Sequence, residues 1–171
     1  MNKYSVISVV AIIIIAATVL YGIWNVVSVG QLELRTTLDT FRYFEMANEE
    51  QLELCNPNPL YVTFNELRID TYYREDIQGS WIMGAKTMNP GTAEVVGINF
   101  SSDSFSETQY LFMHMDGQFT GEQIIRVDPT EMTVKTTFDT RILGVIPYPV
   151  TITQSGFEFS QMMNEDSSCD V

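Results

Sequence analysis

One histidine, two cysteines and 22 carboxylates supply most of the side chains from which this chain could build a reactive centre. His114 stands in the run Phe112-Met113-His114-Met115, so any Ser-His-Asp arrangement would depend on one imidazole in apolar surroundings. That setting fits packing better than proton transfer. Met113, His114 and Met115 combine thioether and imidazole, ligands suited to Cu(I). Adjacent positions on a helix or strand diverge, however, and do not converge on one ion. Glu49-Glu50 and Glu75-Asp76 are neighbouring acids of the kind that solvated turns carry. The chain has no phosphate-binding G-x-x-x-x-G-K, no H-E-x-x-H, no C-x-x-C and no twelve-residue calcium loop. The expectation is a protein with no catalytic residue, no cofactor and no metal, and therefore not an enzyme.

The cysteines carry a different chemistry. Cys55 and Cys169 lie more than a hundred residues apart, and outside the cytosol they can form a disulfide. Closing a loop of that length stabilises a fold by about 4.7 kcal/mol at most in the chain-entropy picture. The alternative is one buried thiol and one free thiol in the tail. Asn99-Phe100-Ser101 is the sole N-glycosylation sequon and ends a predicted strand, where Asn99 can face outward. Met162-Met163 reads as peripheral packing.

The compartment is set by Val6–Val29, two dozen residues without one charge. At about 1.5 Å per residue, a helix of that length crosses a hydrocarbon core of about 30 Å. A signal peptide has a shorter apolar stretch followed by small residues. Here Ala16 and Ala17 are followed by Thr18, Val19, Leu20 and Tyr21, and the apolar run continues to Trp24, a residue that favours the interface. An uncleaved anchor is the expected reading; a cleaved signal and a buried core helix are the alternatives. Lys3 and the α-amino group mark the cytoplasmic side, which puts everything after Gly30 outside the cell membrane.

Of the nine basic residues only Lys3 precedes the run, so the outer part carries 8 − 22 = −14. Such a field repels phosphate backbones and excludes nucleic acid as a partner. The acids are scattered along the chain; only Glu165, Asp166 and Asp170 form a local group.

The boundaries follow. Residues 1–5 form a cytoplasmic start, 6–29 a transmembrane signal-anchor, 30–163 one extracytoplasmic domain, and 164–171 an acidic, frayed tail. Within the domain the pattern has a period of two. Leu32/Leu34, Leu52/Leu54 and Leu67/Ile69/Thr71 alternate with polar residues, as strands with one buried face do. Further strands are predicted at 80–88, 93–100, 119–127, 132–138 and 143–153. They are separated by Asn56-Pro57-Asn58-Pro59, Asn89-Pro90-Gly91, Asp116-Gly117, Asp128-Pro129 and Ser155-Gly156. Short strands with such spacing predict a mainly β, antiparallel sandwich. One helix is predicted at 105–114, opened by the capping box Ser104-Phe105-Ser106-Glu107, with Phe105, Thr108, Phe112 and Met115 on one face.

The string Leu52-Glu53-Leu54-Cys55-Asn56-Pro57-Asn58-Pro59, followed by Asn65-Glu66-Leu67-Arg68-Ile69-Asp70-Thr71-Tyr72-Tyr73, resembles the water-stress and hypersensitive-response (WHy) domain of late-embryogenesis-abundant proteins. The resemblance covers about residues 30–159. It implies a fibronectin-III/immunoglobulin-like sandwich with one short helix and no settled catalytic residues, often anchored to a membrane. The family's glycine after its tyrosine strand corresponds loosely to Gly79, and its small or basic turn is replaced by Arg74-Glu75-Asp76.

Three functions fit. The first is an anchored module that binds a partner or supports the envelope, with the rigid loop Asn56, Pro57, Asn58, Pro59 as its contact surface. The second is an accessory subunit of a larger membrane complex, with Ala16, Ala17 and Gly22 allowing close helix approach. The third is a pilin-like filament subunit, for which Lys3-Tyr4-Ser5 makes a poor processing site. The partners expected are the lipid bilayer, through the helix, and other envelope proteins.

Overall fold

In the computed structural model, which describes residues 3–119, 128–166 and 168–169, Lys3–Val29 form one unbroken helix, α1. It is apolar around its circumference, and only 6% of its most apolar stretch is buried. A helix apolar on every face leaves most of its surface unfavourably exposed in water and suits a protein core or a bilayer.

The remaining described residues form a mixed α and β domain whose sheets are antiparallel throughout. One sheet has the order β1 (Glu33–Arg35), β2 (Gln51–Asn56), β7 (Thr92–Gly97). A second runs β10 (Ile146–Ser155), β9 (Met132–Ile142), β4 (Glu66–Tyr73), β5 (Asp76–Met83), β8 (Asn99–Ser101). A small ribbon joins β3 (Val62–Phe64) to β6 (Lys86–Met88). The alternation in the sequence is the alternation in burial: Leu52 and Leu54 from one sheet and Leu67, Ile69 and Trp81 from the other enter one apolar core.

Three helices close that core: α2 (Tyr43–Glu49), α3 (Phe105–Phe119) and α4 (Gly156–Met163). They bring in a chain of rings. Trp81 stacks on Phe112 with centroids 5.6 Å apart, Phe112 meets Tyr43 at 5.5 Å, and Phe41 bridges Tyr43 and Phe159. Such pairs contribute about 0.5–1.5 kcal/mol each beyond their buried area.

Several predicted boundaries move. The stretch 80–88 is two strands in different sheets, interrupted at Gly84-Ala85, and 93–100 likewise divides between β7 and β8. Leu143 belongs to the β9–β10 turn, with φ 57° beside Gly144 at φ 71°. The helix predicted at 105–114 extends to Phe119, with Thr108, Phe112 and Met115 buried and Phe105 half exposed. The predicted strand at 119–127 falls almost wholly outside the described residues. The tail is not frayed where it is described: Asn164 accepts from the Phe41 amide, Arg35 pairs with Asp166, and Ser168 bonds Glu33. Asp170 lies outside the described residues.

Candidate functional site

The end of the domain where α1 enters is held by a set of polar bonds between segments distant in sequence. Asn25, on the penultimate turn of α1, is only 6% exposed. Its Nδ2 donates to the Thr63 carbonyl and its Oδ1 accepts from the Thr63 amide, both at 2.8 Å. The amide side chain thus offers β3 what a neighbouring strand would offer. One turn on, Asn58 Nδ2 donates to the Ser28 carbonyl at 3.2 Å, satisfying an acceptor in the last turn of the helix.

The Asn56–Pro59 segment is built around its asparagines. Asn56 is fully buried, and its Nδ2 faces the carbonyls of Leu60, Met88 and Asn89 at 3.0, 3.3 and 3.0 Å. Its Oδ1 accepts from the amide and the Nδ2 of Asn58. Proline at 57 and 59 fixes φ and holds each asparagine in the extended region, which aims these side chains inward. The two asparagines therefore offer a partner no contact atoms. The outer face of the corner is Pro57, Pro59, Leu60 and Tyr61, the last 54% exposed.

Cys55, just before the corner, bonds Cys169 with sulfurs 2.03 Å apart, and both residues are buried. The bridge spans 114 residues. It brings the C-terminal segment to the strand beside the helix exit.

Along the helix the packing continues past the domain. The β9–β10 hairpin runs back beside α1. Val150 lies against Gly30, and a Cβ on Gly22 would sit 3.2 Å from the Leu143 nitrogen. The missing side chain at Gly22 is what allows helix and hairpin backbones to touch. Between them opens a mostly apolar groove of about 900 Å³, lined by Thr18, Tyr21, Gly22, Phe64, Arg141 and Leu143 among others.

The other sequence candidates lie elsewhere. His114 is half-buried against Tyr110, ring centroids 4.1 Å apart. Met113 is 58% exposed while Met115 is fully buried, so the three side chains of the copper reading point to different environments. No group of three or more His, Cys, Asp or Glu suited to a metal occurs among the described residues. Asn99 is exposed on the edge strand β8. Glu49, Glu50, Glu75 and Asp76 are all exposed.

Sequence reasoning missed Asp116. Its Oδ1 and Oδ2 accept the Tyr43 and Phe44 amides at 2.9 Å each, capping α2 from 73 and 72 residues away. Burial pushes its carboxyl up to about 6, opposed by those two amide bonds. The Tyr43 phenol, raised well above its usual range by burial and then by Asp116, stays neutral and donates to the Gly156 carbonyl at 2.6 Å. This is a structural centre, buried beneath α2 and α4. Asp116-Gly117 reads locally as a turn, and nothing in the sequence around Arg42 announces its distant cap.

No protein-family model matches the chain, and no curated protein matches it.

Proposed function

We propose that this chain is a single-pass membrane protein whose β-domain works by binding at the extracytoplasmic face and performs no covalent chemistry. The observation that carries this reading is the join between helix and domain. An apolar helix of transmembrane length, almost entirely exposed, continues into the fold without a linker and is locked there by Asn25 and Asn58. The buried Cys55–Cys169 bridge fits an oxidising compartment, and with it an inside position for Lys3. Two antiparallel sheets around one core and the stiff corner at Asn56–Pro59 support a fibronectin-III-like sandwich of the WHy type.

The contact surface in this reading is the outer face of the corner, Pro57, Pro59, Leu60 and Tyr61. Proline rigidity lowers the ordering cost of binding there. A photoreactive residue at Tyr61, in intact cells, should capture a specific envelope protein, and external protease should remove the domain while leaving a membrane fragment. Turnover of a substrate by the purified protein, lost on His114→Ala, would refute the non-enzymatic reading. Crosslinks arising from α1 alone would favour an accessory subunit.

A further inference from the structure

Four large apolar side chains cluster at one tip: Leu143, Val145, Ile146 and Tyr148 are 46, 73, 53 and 47% exposed. The tip also breaks a local rule. Leu143 takes φ 57°, a left-handed position that glycine or asparagine fills at little cost and leucine does not. That backbone is what the tight turn demands, with φ positive at both Leu143 and Gly144 and the Val145 amide donating to the Ile142 carbonyl. It is the four exposed apolar side chains together that call for surroundings other than water.

The hairpin's position says what those surroundings are. It overshoots the helix exit at Gly30 and runs back to Gly22, eight residues or about 12 Å along α1. A hydrocarbon core of about 30 Å takes about 20 helical residues. Counted from Val6, the core ends near Asn25; counted from Tyr4, the first residue after Lys3, it ends near Ile23, next to Gly22. Helix tilt adds residues and moves the boundary further along. Every placement that keeps Lys3 out of the hydrocarbon therefore puts the hairpin tip at the boundary or inside it. Tyr21 and Trp24, 48% and 39% exposed, lie at the same level of the helix, where aromatic rings favour the interface. Arg141, opposite Pro147 one step up the hairpin, carries a cation to headgroup height on an exposed side chain.

We propose that the β9–β10 tip is a second membrane element, wedged into the outer leaflet beside the anchor, with Leu143, Val145 and Ile146 among acyl chains and Arg141 at the lipid phosphates. The inference rests on the anchored reading above. With two points of attachment the domain holds a fixed tilt on the bilayer, and does not pivot on a single helix.

The full chain, native disulfide intact, is reconstituted in phosphatidylcholine/phosphatidylglycerol liposomes with a nitroxide at Val145→Cys. Labels at Ile13→Cys and Glu75→Cys serve as mid-span and aqueous references. The ratio of oxygen to nickel-chelate collisions at Val145 should exceed that at Glu75 by at least about fivefold, because hydrocarbon excludes the polar chelate. An aqueous ratio at Val145 with a lipid ratio at Ile13 overturns the wedge and leaves the anchor standing. Aqueous ratios at both overturn the anchor and the wedge with it. Low collision with both reagents at Val145 means that a second copy or a partner covers the tip, and overturns the lipid assignment. Ile146→Cys gives a second label position if the Val145 variant misfolds, and the same ratio is expected there.

Discussion

Replacing Asn25 by leucine separates an anchor that merely crosses lipid from one that is part of the fold. As a transmembrane residue leucine is the better choice, with higher hydropathy and helix propensity better by about half a kcal/mol. As a structural residue it is the wrong one. It removes the donor and the acceptor that engage Thr63 at 2.8 Å, in the middle of the β3–β6 ribbon. Each backbone group left unsatisfied costs about 1–3 kcal/mol. Two such groups, less the propensity gain and some relief from water reaching the edge of the site, leave a loss of about 2–4 kcal/mol. In a domain of this size that corresponds to a melting point lower by about 5–15 °C. The assay is thermal and urea unfolding of the full chain in detergent, followed by the fluorescence of the buried Trp81, with membrane retention measured in parallel. Lower stability with unchanged retention is expected. Asn25→Asp, which keeps an acceptor for the Thr63 amide and sets a negative charge against its carbonyl, should lose at least as much. A loss below about 0.5 kcal/mol for the leucine variant would refute a docked helix end.

Reduction, or paired Cys55→Ser and Cys169→Ser substitution, should lower stability by about 3–5 kcal/mol, the range for a loop of 114 residues, and free the tail to proteases. Gly79→Ala places a methyl 2.6 Å from the Phe100 ring, which packs on Trp81; a loss of about 1–3 kcal/mol by urea unfolding is expected. Asp116 binds its proton more tightly folded than unfolded, so its contribution is fully present below about pH 4 and is lost as pH rises through about 6. It should make stability fall by about 3 kcal/mol at most across that window, a slope absent in Asp116→Asn when the two are compared by urea unfolding at each pH. Expression in a host that glycosylates Asn-X-Ser should add a mass at Asn99 that Asn99→Gln abolishes, since that side chain is exposed on an edge strand.

The parts of the fold legible in the sequence are those whose signal is local. Strict alternation at 67–71 marks β4, and an uncharged run marks α1, because each pattern reports directly on what the side chains face. Helix α4 was also legible: Ser155-Gly156-Phe157-Glu158 is a capping box, and in the structure Ser155 Oγ accepts the Glu158 amide while Glu158 accepts the Ser155 amide. Reading Ser155-Gly156 only as a breaker hid it. Helix α2 was not legible, since its cap comes from Asp116, far away in sequence. The corner at Asn56–Pro59 shows the limit for sites. Its stiffness follows from its residue types, yet whether asparagine faces outward to a partner or inward to carbonyls depends on strands that arrive later in the chain.

The free edge of the larger sheet bears on how these molecules coexist. Among the described residues strand β10 pairs only with β9, and it carries Pro147 and Pro149 with Tyr148 between them. The Tyr148 carbonyl accepts from Thr140 across the ladder, so it faces β9, and the proline nitrogens on either side face away. An arriving strand would find no N–H donor at those two positions. Confinement to a surface raises local concentration, and molecules held at one height and one orientation meet edge to edge far more often than molecules tumbling freely. On the anchored reading proposed above, two prolines placed where such encounters occur oppose the zipping of neighbouring β-domains into continuous sheets.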